Sequence, residues 1–241
     1  MRAKQFHLLL NQQQNDNVQT FCFDLQQVQV LPKLPIQEAF YSLQVPYYAF
    51  CIVDPISLHP VFYNWTEEEN LCGRGSNATG SAIFHFLKNQ DFTGIEKIRF
   101  FSDGCGGQNK NSQIIHLLMY WLYKEAPASV TSIDHFFPVT GHSYLPADRV
   151  FGRVEKQLRR KPECILPEDY ENVYKTVGTV NVLQRNWIAY DIKVLLDTFK
   201  KIEGISEQKR MYIRKRTKNG ETMANIAKTW TKRKTRNFTA A

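Results

Sequence analysis

The chain lacks any run of about 18 consecutive apolar residues, so no segment of it reads as a membrane-spanning helix. Its start, Met1 to His7 followed by three leucines, has too short an apolar stretch for a secretory leader. Without a leader, the three sequons at Asn64, Asn77 and Asn237 carry no weight. Cysteine is sparse: Cys22, Cys51, Cys72, Cys105 and Cys164 are odd in number, and no pair has C-x-x-C spacing. That excludes a disulfide framework and a self-contained zinc site, and leaves reduced thiols, as expected in the nucleus or cytoplasm. Internal repeats are absent, and the only biased stretch is the short glutamine run at residues 12–14.

What is present suffices for a large core. Of 241 residues, 43% are hydrophobic, including 16 Phe, 11 Tyr and 4 Trp. One large domain, or one domain with appendages, is expected. The net charge of +8 is unevenly spread: residues 201–241 hold 12 Lys/Arg against 3 Glu, a balance of +9, which leaves 8 − 9 = −1 for the first 200. The division expected is a helical lead-in at 1–17, a folded domain at 18–200 and a basic extension at 201–241. The lead-in has the look of a remnant of an upstream region. A basic extension suits a polyanion, nucleic acid being the usual one, although such tails are also found simply solvated.

Alternation from Val18 to Leu31 reads as a strand ending at Pro32. Asp24 inside it is out of place, since aspartate is disfavoured in strand interiors. Further strands are expected at Tyr47–Val53, Pro60–Trp65, Ile95–Phe101, Ile133–Val139 and Arg210–Arg216. Helices are expected at Ser76–Lys88, Gln108–Tyr123, Pro146–Arg160, Glu168–Val177 and Trp187–Lys201. Three strands joined by short links should run antiparallel, and later ones linked through helices should run parallel. That is an α/β fold with the mixed sheet of the ribonuclease-H-like class, flanked by helices.

The central stretch is Phe100 to Asn111, FFSDGCGGQNKN: a buried strand ending in a carboxylate, a glycine-rich turn and the polar start of an apolar helix. Open α/β sheets place ligands at such strand ends. Asp24, Asp103 and Asp148 fall at corresponding places, and converging carboxylates suit Mg²⁺ or Mn²⁺, which prefer oxygen donors. These three are the candidate catalytic residues and metal ligands. Plainer roles stand beside them: Asp103 before Gly104 suits a turn, and Asp148 suits the first turn of a helix. His142 can be a metal neighbour, a proton shuttle or a strand-end histidine bonded to backbone. Gln108, Asn109 and Lys110 are candidate phosphate contacts, although the string does not fit the G-x-x-x-x-G-K-[ST] loop, which excludes a P-loop ATPase. Further candidate nucleic-acid contacts are Arg149, Arg214, Lys215, Arg216, Lys232, Arg233 and Lys234. Cys105 has no obvious base and reads as merely small.

The string Ser102 to Asn111, followed by Gly141-His142-Ser143 and by Asp148-Arg149-x-Phe151-Gly152, resembles a large uncharacterised eukaryotic family of transposase descent. Asp24-Leu25-Gln26, Trp65-Thr66-Glu67 and Arg74-Gly75-Ser76 add to the resemblance, which runs from about Val18 past Tyr174. It implies a ribonuclease-H-like fold and a transposase-like or nuclease-like ancestry. The family pattern has a glutamate soon after Arg-Gly-Ser, and here Ala78 stands where that acid would be. It also has a cysteine-rich upstream region that this chain does not show. Both departures imply a decayed or fragmentary copy.

The expected function is therefore metal-dependent phosphodiester cleavage or strand transfer, at least ancestrally, with Mg²⁺ or Mn²⁺ as cofactor and DNA as the favoured partner. No membrane or small-molecule substrate is expected. The alternative is a catalytically inactive nucleic-acid- or protein-binding module that keeps the fold.

Overall fold

A computed structural model describes residues 2–12, 17–35, 43–70, 75–139, 144–195, 199–215, 222–227 and 238–239. Its strands are β1 Val18–Leu25, β2 Gln29–Leu31, β3 Val45–Val53, β4 Pro60–Thr66, β5 Lys97–Ser102, β6 Ser132–Phe136, β7 Thr179–Val182, β8 Arg210–Lys215, β9 Thr222–Ala227 and β10 Phe238–Thr239. The helices are α1 Arg2–Leu10, α2 Ser76–Lys88, α3 Ser112–Lys124, α4 Pro146–Leu158, α5 Pro167–Lys175 and the short α6 Ile192–Leu195.

All ten strands join one mixed sheet in the order β10-β9-β8-β6-β5-β1-β3-β4-β7, with β2 on β3. The β1–β3–β4 run is antiparallel, as expected for strands joined by short links. β5 and β6, each reached through a helix, run parallel to β1 and to each other. β1 and β5 are thus central and covered on both faces, and Ile98, Phe100, Phe101 and Ser102 of β5 are all fully buried. Such strands read as nearly continuous apolar runs rather than as alternating ones.

Alternation along β1 sorts the core into two layers. Phe21 and Phe23 join α2 and α3 on one face. Cys22 faces the other side, with Phe101, α1, α4 and α5. The aromatic content is spent here: Phe23 lies 5.6 Å from both Phe50 and Phe100, and Phe6 of α1 lies 5.3 Å from Phe101. Each Phe buried in full contributes roughly 1.5–3 kcal/mol relative to exposure.

Several expected boundaries move. The strand expected to reach Leu31 is interrupted after Leu25, and β2 resumes on the same edge of β3, shifted by one residue in register, while β4 takes the other edge. The helix expected from Gln108 starts at Ser112, because the Asn111 side chain accepts from the Ile114 N–H at 3.0 Å and caps it there. Of the helix expected over Trp187–Lys201, the described residues hold one turn, Ile192–Leu195. Trp187 instead buries its ring against Tyr63 and Trp65. The segment from Tyr190 to Ile192 is bonded to α2: the Tyr190 N–H donates to Ser81 Oγ at 2.8 Å and the Ile192 N–H to Asn77 Oδ1 at 3.1 Å. β7 has no counterpart among the expected strands. β8 matches the expected strand and pairs antiparallel with β6, so residues beyond 200 continue the same sheet. No described helix is long and apolar enough to cross a membrane.

Candidate acidic centre and its supports

Asp24 is the penultimate residue of β1, and Asp103 is the first beyond β5. The parallel register sets Phe23 opposite Ser102, so the two aspartates stand level on adjacent central strands. Alternation turns both to the side of Cys22 and Phe101, which is the side that α4 covers. Asp148 lies in the first turn of α4. The carboxyl of Asp24 is pushed up to about 7: burial is the main cause, the negative charges of Asp103 and Asp148 add to it, and a bond from the Leu25 amide opposes it. Asp103 and Asp148 thus both lie within electrostatic reach of Asp24.

Each carboxylate has a holder. The Leu25 N–H donates to Asp24 Oδ1 at 2.9 Å. The Asn109 side-chain amide donates to Asp103 Oδ1 at 2.6 Å, and the Cys105 N–H to the same oxygen at 3.2 Å. The Leu145 N–H donates to Asp148 Oδ2 at 2.6 Å, the half of a capping box in which the helix acid reaches back. One oxygen of each aspartate is engaged in this way.

Among the described residues no three His, Cys, Asp or Glu side chains close on one point tightly enough to grip an ion. Mg²⁺ is usually held otherwise, by one or two carboxylates with water and substrate phosphates completing the shell. Asp24 and Asp103, level on the same face and mutually repelling, fit that second arrangement, with Asp148 at its side.

The glycine-rich turn is folded onto itself and onto α2. The backbone N–H groups of Asn109 and Lys110 both donate to Cys105 O at 2.9 Å. Thr79 Oγ donates to Gln108 O at 3.3 Å, and Ser76 bonds to Gln113 of α3. Gly75 has φ +104, and a Cβ there would sit 3.5 Å from Gly107 O, so this turn and the start of α2 meet backbone to backbone. Between them lies a cleft of about 300 Å³, lined by Leu25, Tyr48, Trp65, Ala78, Cys105 and Gln108. Ala78, at 1% exposure, is part of its wall.

The structure draws some of the expected phosphate contacts inward. Asn109 is fully buried and spends its amide on Asp103. Lys110 is buried too: its Nζ donates to Ser206 O at 2.5 Å and lies 5.3 Å from the Phe137 ring centre. Burial, with the charge of Lys209, lowers it to about 8. Both are internal fasteners rather than contacts facing solvent. Gln108 remains half-exposed at the cleft, and Arg149 is exposed beside Asp148. Arg214 pairs with Asp134 at 2.5 Å, and Lys215 donates to Pro127 O at 3.3 Å, so both are engaged at the sheet. His142, Arg216, Lys232, Arg233 and Lys234 lie outside the described residues.

Sequence reasoning missed His135. It is buried on β6, with Nε2 2.8 Å from Ser102 Oγ and its ring 4.2 Å from that of Phe137. Burial, assisted by Lys110, lowers it to about 3, which keeps it neutral behind the Asp103 strand end. Nothing in the spacing of the histidines marks it. The role of Asn109 had a signal that went unused: an amide six residues after a strand-end aspartate, across a tight turn.

No curated protein matches the chain, and no solved structure does. The matching family model spans β4 to the basic extension and takes in the glycine-rich turn, Asp103 and Asp148, though not Asp24. By that match over residues 57–233, most of its length, the chain belongs to the family described as Domain of unknown function (DUF7869).

Proposed function

We propose that this chain is a ribonuclease-H-like domain of transposase descent that acts on the phosphodiester backbone of nucleic acid, with Asp24, Asp103 and Asp148 as its acidic centre. The observation that carries this is the pair Asp24 and Asp103, level at the ends of two central parallel strands and coupled to Asp148. The sheet supports it: β4-β3-β1-β5-β6, antiparallel on one side of β1 and parallel on the other, is the order expected of that class. Asp24 and Asp103 would hold Mg²⁺ or Mn²⁺, and such an ion activates a water and stabilises a leaving oxygen. The chain's own part is to set the carboxylates. Asn109 and the Cys105 amide fix the Asp103 rotamer, and the Leu25 amide fixes Asp24. Asp24, raised to about 7, is part-protonated near neutral pH and would release that proton on taking up an ion.

A second reading is a binding module without catalysis. Ala78 in the cleft wall and the absence of a closed three-ligand set among the described residues favour it. One experiment divides the two. Labelled single-stranded and duplex DNA and RNA are incubated with the full chain in Mg²⁺ or Mn²⁺, beside Asp103→Ala. Cleavage or strand transfer lost in the variant supports the enzyme. Equal background from both proteins, with binding retained, leaves the module.

A further inference from the structure

The exposed face of α4 has no assigned role. Its inner face is apolar: Ala147, Val150, Phe151, Val154 and Leu158 are all buried. Its outer face carries Arg149, Arg153 and Lys156, continued past the helix end by Arg159 and Arg160, and every one of these is exposed. At 100° per residue, Arg149, Arg153, Lys156 and Arg160 fall within a sector of about 60°. At 1.5 Å per residue the stripe is about 16 Å long, and it starts beside Asp148 at the acidic centre.

Two features of this stripe bring no return within the chain. None of the five bases forms an ion pair with a described residue. Among the described residues their one side-chain hydrogen bond is from Arg153 Nη2 to Leu58 O at 3.2 Å. Like charges three and four residues apart weaken a helix rather than support it. Beside them, in mid-helix, stands Gly152, exposed, where an added Cβ would meet nothing within 4 Å. After proline, glycine is the worst residue for a helix interior, and no packing calls for it here. It leaves a bare notch in a groove of about 340 Å³ lined by Arg149, Arg153, Lys156 and Arg159, with Glu155 the one acid among them. Clustered unpaired cations and a helix backbone left open to close approach both suit a polyanion that lies against the helix.

We infer that this face is the track for a nucleic-acid strand, its phosphodiester backbone running along Arg149, Arg153, Lys156 and Arg160 and pressing into the notch at Gly152. The inference rests on the nucleic-acid reading above and adds where the strand lies: it leads along α4 to the acidic centre.

The test reads binding alone, in EDTA, so a loss of cleavage does not bear on it. Full-length protein is titrated into fluorescein-labelled 20-nucleotide single strands and duplexes, followed by anisotropy across a salt series. Arg153→Ala/Lys156→Ala is expected to weaken binding more than about tenfold and to lower the slope of log K against log salt by about 1.4–1.8, as for two lost phosphate contacts. Lys88→Ala/Lys124→Ala, which removes the same charge from helices on the opposite face of the sheet, is the control and should change binding by less than about threefold. Gly152→Leu is expected to raise the thermal midpoint, leucine being the better helix former, while weakening binding. Equal losses in the two double variants overturn the inference, because a diffuse field then explains them. Unchanged binding by Gly152→Leu overturns the close approach. Vesicles rich in phosphatidylserine that bind the chain, and lose that binding in Arg153→Ala/Lys156→Ala while nucleic acid does not, assign the face to a membrane and overturn it as well.

Discussion

The side-chain amide of Asn109 donates to Oδ1 of Asp103 across 2.6 Å, and the residue that makes this bond is itself fully buried. A hydrogen bond to a carboxylate contributes roughly 1.5–3 kcal/mol. Asn109→Ala is therefore expected to lower unfolding stability in urea by about 2 kcal/mol and to free the Asp103 rotamer. Asn109→Asp, which keeps the shape but sets a second carboxylate beside the first, should cost more, and its deficit should shrink as pH falls and one of the pair protonates. Equal stability of Asn109→Ala and wild type would show that Asn109 does not clamp Asp103.

Asp24 makes the fold sensitive to pH in a stated direction. Its folded-state value is raised to about 7 from 3.8, so the protonated form is the one the fold prefers. The stabilisation is fully present below about pH 4 and is lost as pH rises through about 7, with an upper size of about 4 kcal/mol for a shift of some three units. The difference in urea midpoint between wild type and Asp24→Asn should grow from pH 5 to pH 8, with the variant ahead at pH 8. Mg²⁺ at millimolar concentration should close that gap for wild type and leave Asp24→Asn unmoved, because a cation relieves the same repulsion that raises Asp24. A gap that does not change with pH contradicts the coupling.

Much of this was legible in the chain because the signals were local. Alternation marked β1, short apolar runs marked β3 and β4, and a long apolar run marked α3. Asp24 drew notice as an acid in an apolar strand, and it proves to be level with Asp103. What was not legible depends on distant segments. Asn109 and Lys110 sit in a polar, glycine-rich string that looks solvated, and only the approach of residues 204–209 turns Lys110 inward onto Ser206. The bounds of α2 were legible, but not that the segment at 190–192 bonds to its Asn77 and Ser81. β7 escaped because four residues give too little alternation to detect, and its pairing with β4 depends on a neighbour more than a hundred residues away.

That same pairing gives a structural prediction. A Cβ at Gly178 would lie 2.3 Å from the Pro60 carbonyl oxygen and 2.5 Å from Pro60 Cγ. The clash is with backbone at the first residue of β4, so no rotamer change relieves it. Gly178→Ala should cost about 2–3 kcal/mol and lower the thermal midpoint by about 5–10 °C, by prising β7 from β4. Gly106→Ala, in open space on the glycine-rich turn, is the comparison and should shift the midpoint by less than about 2 °C. Similar midpoints for the two variants would show that the approach at Pro60 is not tight.

Ala78 offers the sharpest separation of enzyme from binding module. It lines the cleft together with Leu25, the residue after Asp24, and Cys105, two residues beyond Asp103. A longer side chain at 78 therefore points into a space bordered by the two strand ends that carry the acids, and the cleft, at about 300 Å³, has room for it. None of the three acids lines that cleft, which lies on the α2 side of the sheet, so Ala78→Glu tests whether a fourth carboxylate reaches them round the strand ends. Without divalent ions, the added repulsion should raise Asp24 further and destabilise the chain, the more so at pH 8 than at pH 5. With Mn²⁺ the sign should reverse: another oxygen donor strengthens ion binding, and the stability gained on adding Mn²⁺ should exceed that of wild type. Cleavage of labelled DNA that rises in Ala78→Glu, and falls again when Asp103→Ala is added, would mark the wild-type centre as an enzyme site lacking one ligand. A variant that gains Mn²⁺ affinity yet cuts nothing would place the loss elsewhere in the centre and favour the binding module. If neither ion affinity nor stability responds, Ala78 does not face the acids, and the cleft and the acidic centre are separate features of the fold.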